Sequence, residues 1–173
     1  MKTPLPRATR ILRNHPGCDD TIALSYDDRL LRRKKLTSAS GLSFLVDLAE
    51  TTSLDQGDVF SIETGETVGV IAAPEALLRI TGDLTRLAWH IGNRHTPCQI
   101  AGDHLLIKAD HVLADMIGKL GGVVTPVTAP FRPEGGAYGH GRTFGHAHGA
   151  HDHGTHDHGT HDHGTHDHGP SGT

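Results

Sequence analysis

In the first half of the chain, apolar and polar residues alternate over short stretches. In LSFLVDL every second residue is apolar, with one apolar exception on the other face, and TIALSY, DVFSIE and TVGVIAA are further runs of β-forming residues. Thr64-Gly65 between the last two runs suits a hairpin. The pattern predicts several short strands from about Asp19 to Ala73, in a small all-β barrel or sandwich. The residues before them, including His15, are expected to form a loose segment.

After Pro74, two stretches change to helical spacing. The apolar stripe of the first stretch is Leu84, Leu87, Ala88 and Ile91. The second follows Asp110, a candidate N-cap. Its stripe is Val112, Leu113, Met116, Ile117 and Leu120. Short β-forming runs precede, separate and follow these helices, and the last, VVTPV, contains a proline that favours an edge position or an early end of the strand. The order β-α-β-β-α-β predicts an α+β domain with the ferredoxin-like arrangement.

From Phe131 onward the chain is rich in Gly and Pro and has no apolar period. Starting at His151, the five residues His-Asp-His-Gly-Thr repeat, and the fourth copy ends in Gly-Pro. Such a segment cannot bury enough apolar surface to offset the entropy of ordering it, so a disordered tail is expected. The predicted units are therefore residues 1–73, residues 74–138 and the tail, 139–173.

The composition excludes several classes of protein. A net charge of -4 argues against a dedicated nucleic-acid binder, and no apolar run approaches the roughly 18 residues of a membrane span. The N-terminus lacks the apolar stretch of a secretory signal. The two cysteines lie far apart and form no CxxC motif, which argues against a disulfide framework. A cytoplasmic protein that binds neither nucleic acid nor membrane is expected.

The tail is a candidate metal-binding segment because of its imidazoles. Eleven of the sixteen histidines lie in it: His140, His146, His148, His151, His153, His156, His158, His161, His163, His166 and His168. Neutral imidazole binds nickel, copper and zinc, and the His-x-His spacing places pairs of rings together on a flexible chain. The tail is predicted to hold several metal ions exchangeably and with little selectivity, with zinc or copper possible in vitro. A purification tag or a solubilising tail is the plainer alternative.

The segment WHIGNRHTPCQI carries a second set of candidates. His90 lies on the first helix, where an ordinary helix residue is the favoured interpretation, whereas His95 follows the helix on a turn, from which a side chain can project. Cys98 forms a His-x-x-Cys pair with His95, but a buried, inert thiol is favoured. His111 follows Asp110 at a helix start, where the helix dipole favours the neutral imidazole. An ordinary surface histidine explains that spacing equally well.

The run RLLRRKKL concentrates positive charge in an otherwise acidic chain. Its cations are Arg29, Arg32, Arg33, Lys34 and Lys35. They could dock an acidic partner, but a solvated strand face is the favoured interpretation.

Several longer motifs occur in a fixed order along the chain. TIALSYDDRLLRRKKL and LAETTSLDQGDVF lie in the first half, and HIGNRH followed by P-x-Q-I, DHVLADMIGKLGG and PFRPEGGAYG precede the His-rich end. Taken together, these motifs resemble the UreE family of urease accessory proteins, which are nickel metallochaperones. The resemblance covers nearly the whole chain, in the family's order.

The resemblance implies a cytoplasmic homodimer with a peptide- or partner-binding β domain and a ferredoxin-like domain that binds metal and dimerises. His95 of the two protomers would share one nickel ion, and His111 would be an additional metal position. Ala109 stands where some members have a second histidine, and Cys98 stands where several have an apolar residue. The tail would store nickel. Delivery would be to the urease accessory GTPase and the urease apoenzyme complex.

Other functions lack their motifs. No HExxH or GxSxG motif joins ligands to a base or nucleophile, so the protein is not expected to be an enzyme. The P-loop of a nickel-inserting GTPase and the MxCxxC of a copper chaperone are also absent from the sequence. The alternative is a passive nickel or zinc buffer that holds metal only in the His-rich tail. A delivery protein needs His95, whereas a buffer does not.

Overall fold

The computed structural model describes residues 4–135, which are mostly β and form two sheets. The strands are β1 (Arg7–Leu12), β2 (Asp20–Leu24), β3 (Leu30–Thr37), β4 (Ser43–Ser53), β5 (Val59–Ile62), β6 (Thr67–Ala72), β7 (Pro74–Thr81), β8 (Gln99–Ile100), β9 (Leu105–Lys108) and β10 (Val123–Pro130). The helices are α1 (Leu84–Gly92) and α2 (His111–Lys119). Neither helix has the length and apolar character needed to cross a membrane.

The first sheet has six strands in the order β2-β6-β5-β1-β4-β3. Alternation along β4 buries Phe44, Val46 and Leu48 on one face, because successive side chains of a strand point to opposite sides. The ring of Phe44 meets that of Phe60 edge to face at 5.5 Å in this core. Beyond β3, the N–H of Ala39 donates to the carbonyl of Thr21 in β2 at 2.8 Å. The sheet therefore curls until its outer strands approach each other.

The expectation of a loose N-terminal segment is wrong. Arg7–Leu12 form β1 in the middle of the sheet, antiparallel to β5 and parallel to β4. Only Ala8 of this strand is fully buried, so its sequence carries no clear period of two. His15 follows β1 and is also held, since its N–H donates to the carbonyl of Gly57 at 3.0 Å.

The basic run divides into an exposed part and a buried part. Its exposed cations lie on β3 and are Arg32, Arg33, Lys34 and Lys35. Arg29, which precedes β3 in a short 3-10 turn, is only 2% exposed. The sequence interpretation of a solvated strand face therefore holds for β3 and is wrong for Arg29.

The second sheet contains four strands in the order β10-β7-β9-β8, and every neighbouring pair is antiparallel. Its elements follow one another as β7, α1, β8, β9, α2 and β10. Leu87, Ile91 and Ile117 bury the two helices against one face of the sheet. Pro126 lies in the edge strand β10, where a residue without an N–H is tolerated. Asp110 caps α2, as the sequence predicts, by accepting from the N–H groups of residues 112 and 113.

A smaller apolar cluster joins the two sheets. Leu77 of β7, Leu106 of β9 and Phe131 are buried together. Tyr26, from the loop after β2, packs edge to face on Phe131 with ring centroids 5.3 Å apart. Buried Arg29 donates from Nη2 to the carbonyl oxygen of Phe131. Residues on both sides of the predicted boundary at 73–74 therefore contribute to this small cluster.

Candidate functional site

His95 lies just beyond the C-terminal end of α1 and its side chain is exposed. The chain turns there because the N–H of His95 donates to the carbonyl of Gly92 at 2.9 Å. His95 adopts φ +54°, in the left-handed region that favours glycine. That conformation costs a histidine on the order of 1 kcal/mol, and such strained residues cluster at functional sites.

A cavity of about 210 Å³ opens beside His95. His95, Cys98, Ile100 and Glu134 are among the residues that line it. Ile100 is 56% exposed although it is apolar, and Trp89 of the adjoining helix is 65% exposed. The surroundings of His95 thus combine a carboxylate, an imidazole and uncovered apolar surface.

Cys98 is held as a protonated thiol. Burial, and secondarily the negative charge of Glu134, raise the pKa of Cys98 to about 11. Metals bind the thiolate, so a thiol with this pKa is a poor ligand at neutral pH. Cys98 is thus half-buried, not buried as the sequence predicts, and its raised pKa is that of an unreactive thiol.

Residues 131–135, called the strap below, leave the second sheet and return along the first unit. Phe131 is fully buried, and the next residue, Arg132, contacts Asp55 through Nε at 3.2 Å. Asp55 also pairs with Arg29, at 3.3 Å. The start of the strap is thereby fixed to the first unit by an apolar side chain and an ion pair.

The strap also lies against the segment that follows His95. The N–H of Arg132 donates to Oε1 of Gln99 at 2.8 Å, and the N–H of Glu134 donates to the carbonyl of Cys98 at 2.8 Å. These two bonds place Glu134 on the cavity beside His95. Glu134 was not predicted as a site residue, since the Gly- and Pro-rich composition around it predicts an unstructured segment. The apolar Phe131 was the available signal that the chain is anchored there.

The other histidines of the folded part are not among the residues that line this cavity. His111 is exposed in the first turn of α2, and His90 is half-buried against Trp89, with ring centroids 4.9 Å apart. Nδ1 of His104 lies 2.6 Å from Asp103, and this hydrogen bond lowers the pKa of Asp103. Within residues 4–135, no three His, Cys, Asp or Glu side chains are grouped so that they could hold a metal ion.

A larger cavity, of about 500 Å³, lies where the strap meets the first unit. Four of the charged residues that line it form ion pairs, Arg13 with Asp58 at 2.6 Å and Arg132 with Asp55 at 3.2 Å, and Glu134 lines this cavity as well. They come from distant parts of the chain, which is why no local motif predicts the cluster. The pairing offsets the cost of bringing these charges together at the junction.

The remaining sequence-predicted ligands lie outside the described residues. They are His140, His146, His148, His151, His153, His156, His158, His161, His163, His166 and His168. The proposed tail unit, 139–173, lies there as well.

Comparison with known proteins matches both halves of the chain to one family. The model of the UreE urease accessory protein N-terminal domain matches residues 5–73, and that of the C-terminal domain matches residues 66–171. The urease accessory protein UreE of Ruegeria pomeroyi is 57% identical over 149 residues, which are 86% of this chain and 100% of that protein. That of Cereibacter sphaeroides is 55% identical over 153 residues, covering 85% and 82% of the two chains. That of Rhodobacter capsulatus is 56% identical over 145 residues, covering 83% and 93%.

Proposed function

Because the chain belongs to the UreE family of urease accessory proteins, we propose that it is a nickel metallochaperone. It stores nickel and delivers the ion to the urease apoenzyme complex during urease maturation, with the urease accessory GTPase as a further partner. It acts in the cytoplasm and catalyses no reaction itself. Nickel is therefore cargo that must be both held and released.

The observation that carries this proposal is the placement of His95. An exposed imidazole in a strained turn, beside a small cavity, is positioned to meet a metal ion from outside the chain. In a homodimer whose two-fold axis passes beside His95, the residue of each copy meets its mate, so two His95 side chains share the ion. A site with few ligands from each chain keeps open coordination positions, through which metal can be loaded and removed.

We assign dimerisation to the second unit, for which we propose the ferredoxin-like arrangement. The element order and the sheet order β10-β7-β9-β8 support that assignment. Exposed Trp89 and Ile100 supply apolar surface near His95. Large exposed apolar residues commonly mark protein interfaces, and burying them in a dimer would also exclude water around the shared ion.

The tail is assigned a storage role beside this site. Its eleven histidines exchange metal freely, and their attachment to the same chain raises the local nickel concentration near His95. His111, exposed at the start of α2, is an additional metal position. The competing function is a passive nickel or zinc buffer in which only the tail holds metal.

Nickel stoichiometry, measured by equilibrium dialysis, tests the proposal. We expect several ions for the full chain and about one tightly bound ion per dimer for a chain ending at Gly139, which keeps the strap. His95→Ala in the shortened chain should remove that ion. His15→Ala, which changes an exposed histidine in the first unit, is the matched control and should retain it.

If the shortened chain binds no nickel tightly, or if His95→Ala leaves its binding unchanged, the shared site is wrong. Tight binding confined to the full chain would establish the buffer function instead.

A further inference from the structure

The strap holds one acidic residue at a fixed place beside His95. Its anchors are a fully buried phenyl ring at Phe131 and backbone hydrogen bonds at Arg132 and Glu134, each 2.8 Å long. The bond at Glu134 uses its N–H and leaves the carboxylate for another role. Glu134 is exposed and lines the cavity beside His95, and it also borders the larger cavity at the first unit.

A nickel ion shared by two His95 side chains can accept the Glu134 carboxylate as a further ligand. Two imidazoles carry no charge, so they leave the dication uncompensated, and they occupy only part of its coordination sphere. Carboxylate oxygens bind divalent metals and would neutralise the charge, since two copies supply two such groups. Charge compensation matters more where apolar surface such as that of Trp89 and Ile100 excludes water.

We propose that Glu134 is a second metal-binding residue of the His95 site and supplies an oxygen donor from each chain. This inference rests on the proposed function. Glu134 selects divalent cations, which gain from a charged oxygen ligand, over soft monovalent ions, which two imidazoles can bind in a linear arrangement. The strap is the element that positions it, through contacts that do not use its side chain.

The test compares nickel and silver binding to the dimeric chain ending at Gly139, by calorimetric titration. Glu134→Gln keeps the size of the side chain and the backbone hydrogen bond but removes the charge. We expect nickel affinity to fall by roughly tenfold or more, the size of effect seen when supporting groups of metal sites are removed. Silver affinity should remain within about twofold. Glu134→Asp should also weaken nickel binding, because its shorter side chain retracts the oxygen while keeping the charge.

Two controls separate this role from a structural one. Glu63→Gln removes an exposed carboxylate of the first unit and should leave both affinities unchanged. X-ray absorption of the nickel complex should show fewer oxygen donors with a carboxylate signature in Glu134→Gln than in the parent chain.

The results distinguish the assignment of Glu134 as a metal ligand from the proposed function. If the parent binds nickel through His95 and Glu134→Gln binds it equally well, Glu134 is not a ligand, while the proposed function stands. An equal loss of nickel and silver would mean that the substitution disturbs the turn, and it too would overturn the assignment. If the parent itself binds no nickel tightly, the proposed function fails and this inference fails with it.

Discussion

His95 and Cys98 lie three residues apart and are held in opposite ways. His95 is exposed in a strained backbone conformation, whereas Cys98 is half-buried with its pKa raised to about 11. A site intended for soft metals would expose the thiol and lower its pKa. The local structure instead offers imidazole and carboxylate, the donors that suit nickel and zinc.

The state of Cys98 can be checked through its alkylation rate. In a Cys18→Ser background, the reaction with iodoacetamide should stay slow at pH 7–9 and rise toward pH 11, because only the thiolate reacts and a raised pKa postpones its formation. The same protein unfolded in urea should react fully at lower pH. A folded rate that levels off near pH 9 would show that burial does not protect this thiol.

Residue placement was predictable where local backbone signals exist. Gly92-Asn93 correctly predicts the end of the helix and the outward position of His95, while the role of His95 as a ligand stays a prediction. Glu134 was not predictable as a neighbour of His95, because its place depends on contacts between the strap and residues more than thirty positions earlier. The Gly- and Pro-rich composition of the segment predicts disorder, and one apolar residue that anchors it does not change that prediction.

Among the elements, α2 depends clearly on one local interaction. The Asp110 carboxylate accepts from the N–H of Val112 at 2.8 Å and of Leu113 at 3.0 Å, which satisfies two donors that the helix leaves unpaired. Because His111 is the next residue, this cap also fixes the start of the turn on which that imidazole lies.

Asp110→Ala should lower the free energy of unfolding by about 1 kcal/mol, the usual contribution of such a cap. Urea denaturation of the chain ending at Gly139 measures it. Asp115→Ala, which removes only an exposed ion pair with Lys119 four residues on, should cost less than about 0.5 kcal/mol. Equal losses in the two variants would argue that charge, and not capping, stabilises α2.

The elements also show why a strand can be missed. Both helices and β4 were predicted because their own sequences alternate or repeat, whereas β1 exists because two distant strands pair with it. A strand in the centre of a curled sheet, of which half the residues are polar, needs few buried side chains of its own. Because such a strand is determined by its partner strands, its own sequence carries little signal that predicts it.

At the scale of the whole molecule, the proposed dimer predicts which apolar surface matters. Trp89→Glu should shift the chain ending at Gly139 from dimer to monomer in sedimentation experiments, because burying an unpaired carboxylate is costly. Ile71→Glu, at an apolar residue of β6 that is 42% exposed in the first unit, is the control and should leave the dimer intact. If Trp89→Glu remains a dimer, the interface lies elsewhere.

The shared cluster of Tyr26, Leu77, Leu106 and Phe131 sets how the two halves of the chain denature. The two family models divide the protein near residue 70, yet a phenyl ring from the start of the strap packs on a tyrosine of the first half. Unfolding of either half exposes the rings of Tyr26 and Phe131 and breaks the hydrogen bond from buried Arg29 to the carbonyl oxygen of Phe131. The cost of separating the halves is therefore added to the cost of melting each one, and their unfolding is cooperative. In evolution, either half could be exchanged for a different domain only if the residues of this cluster were replaced as well.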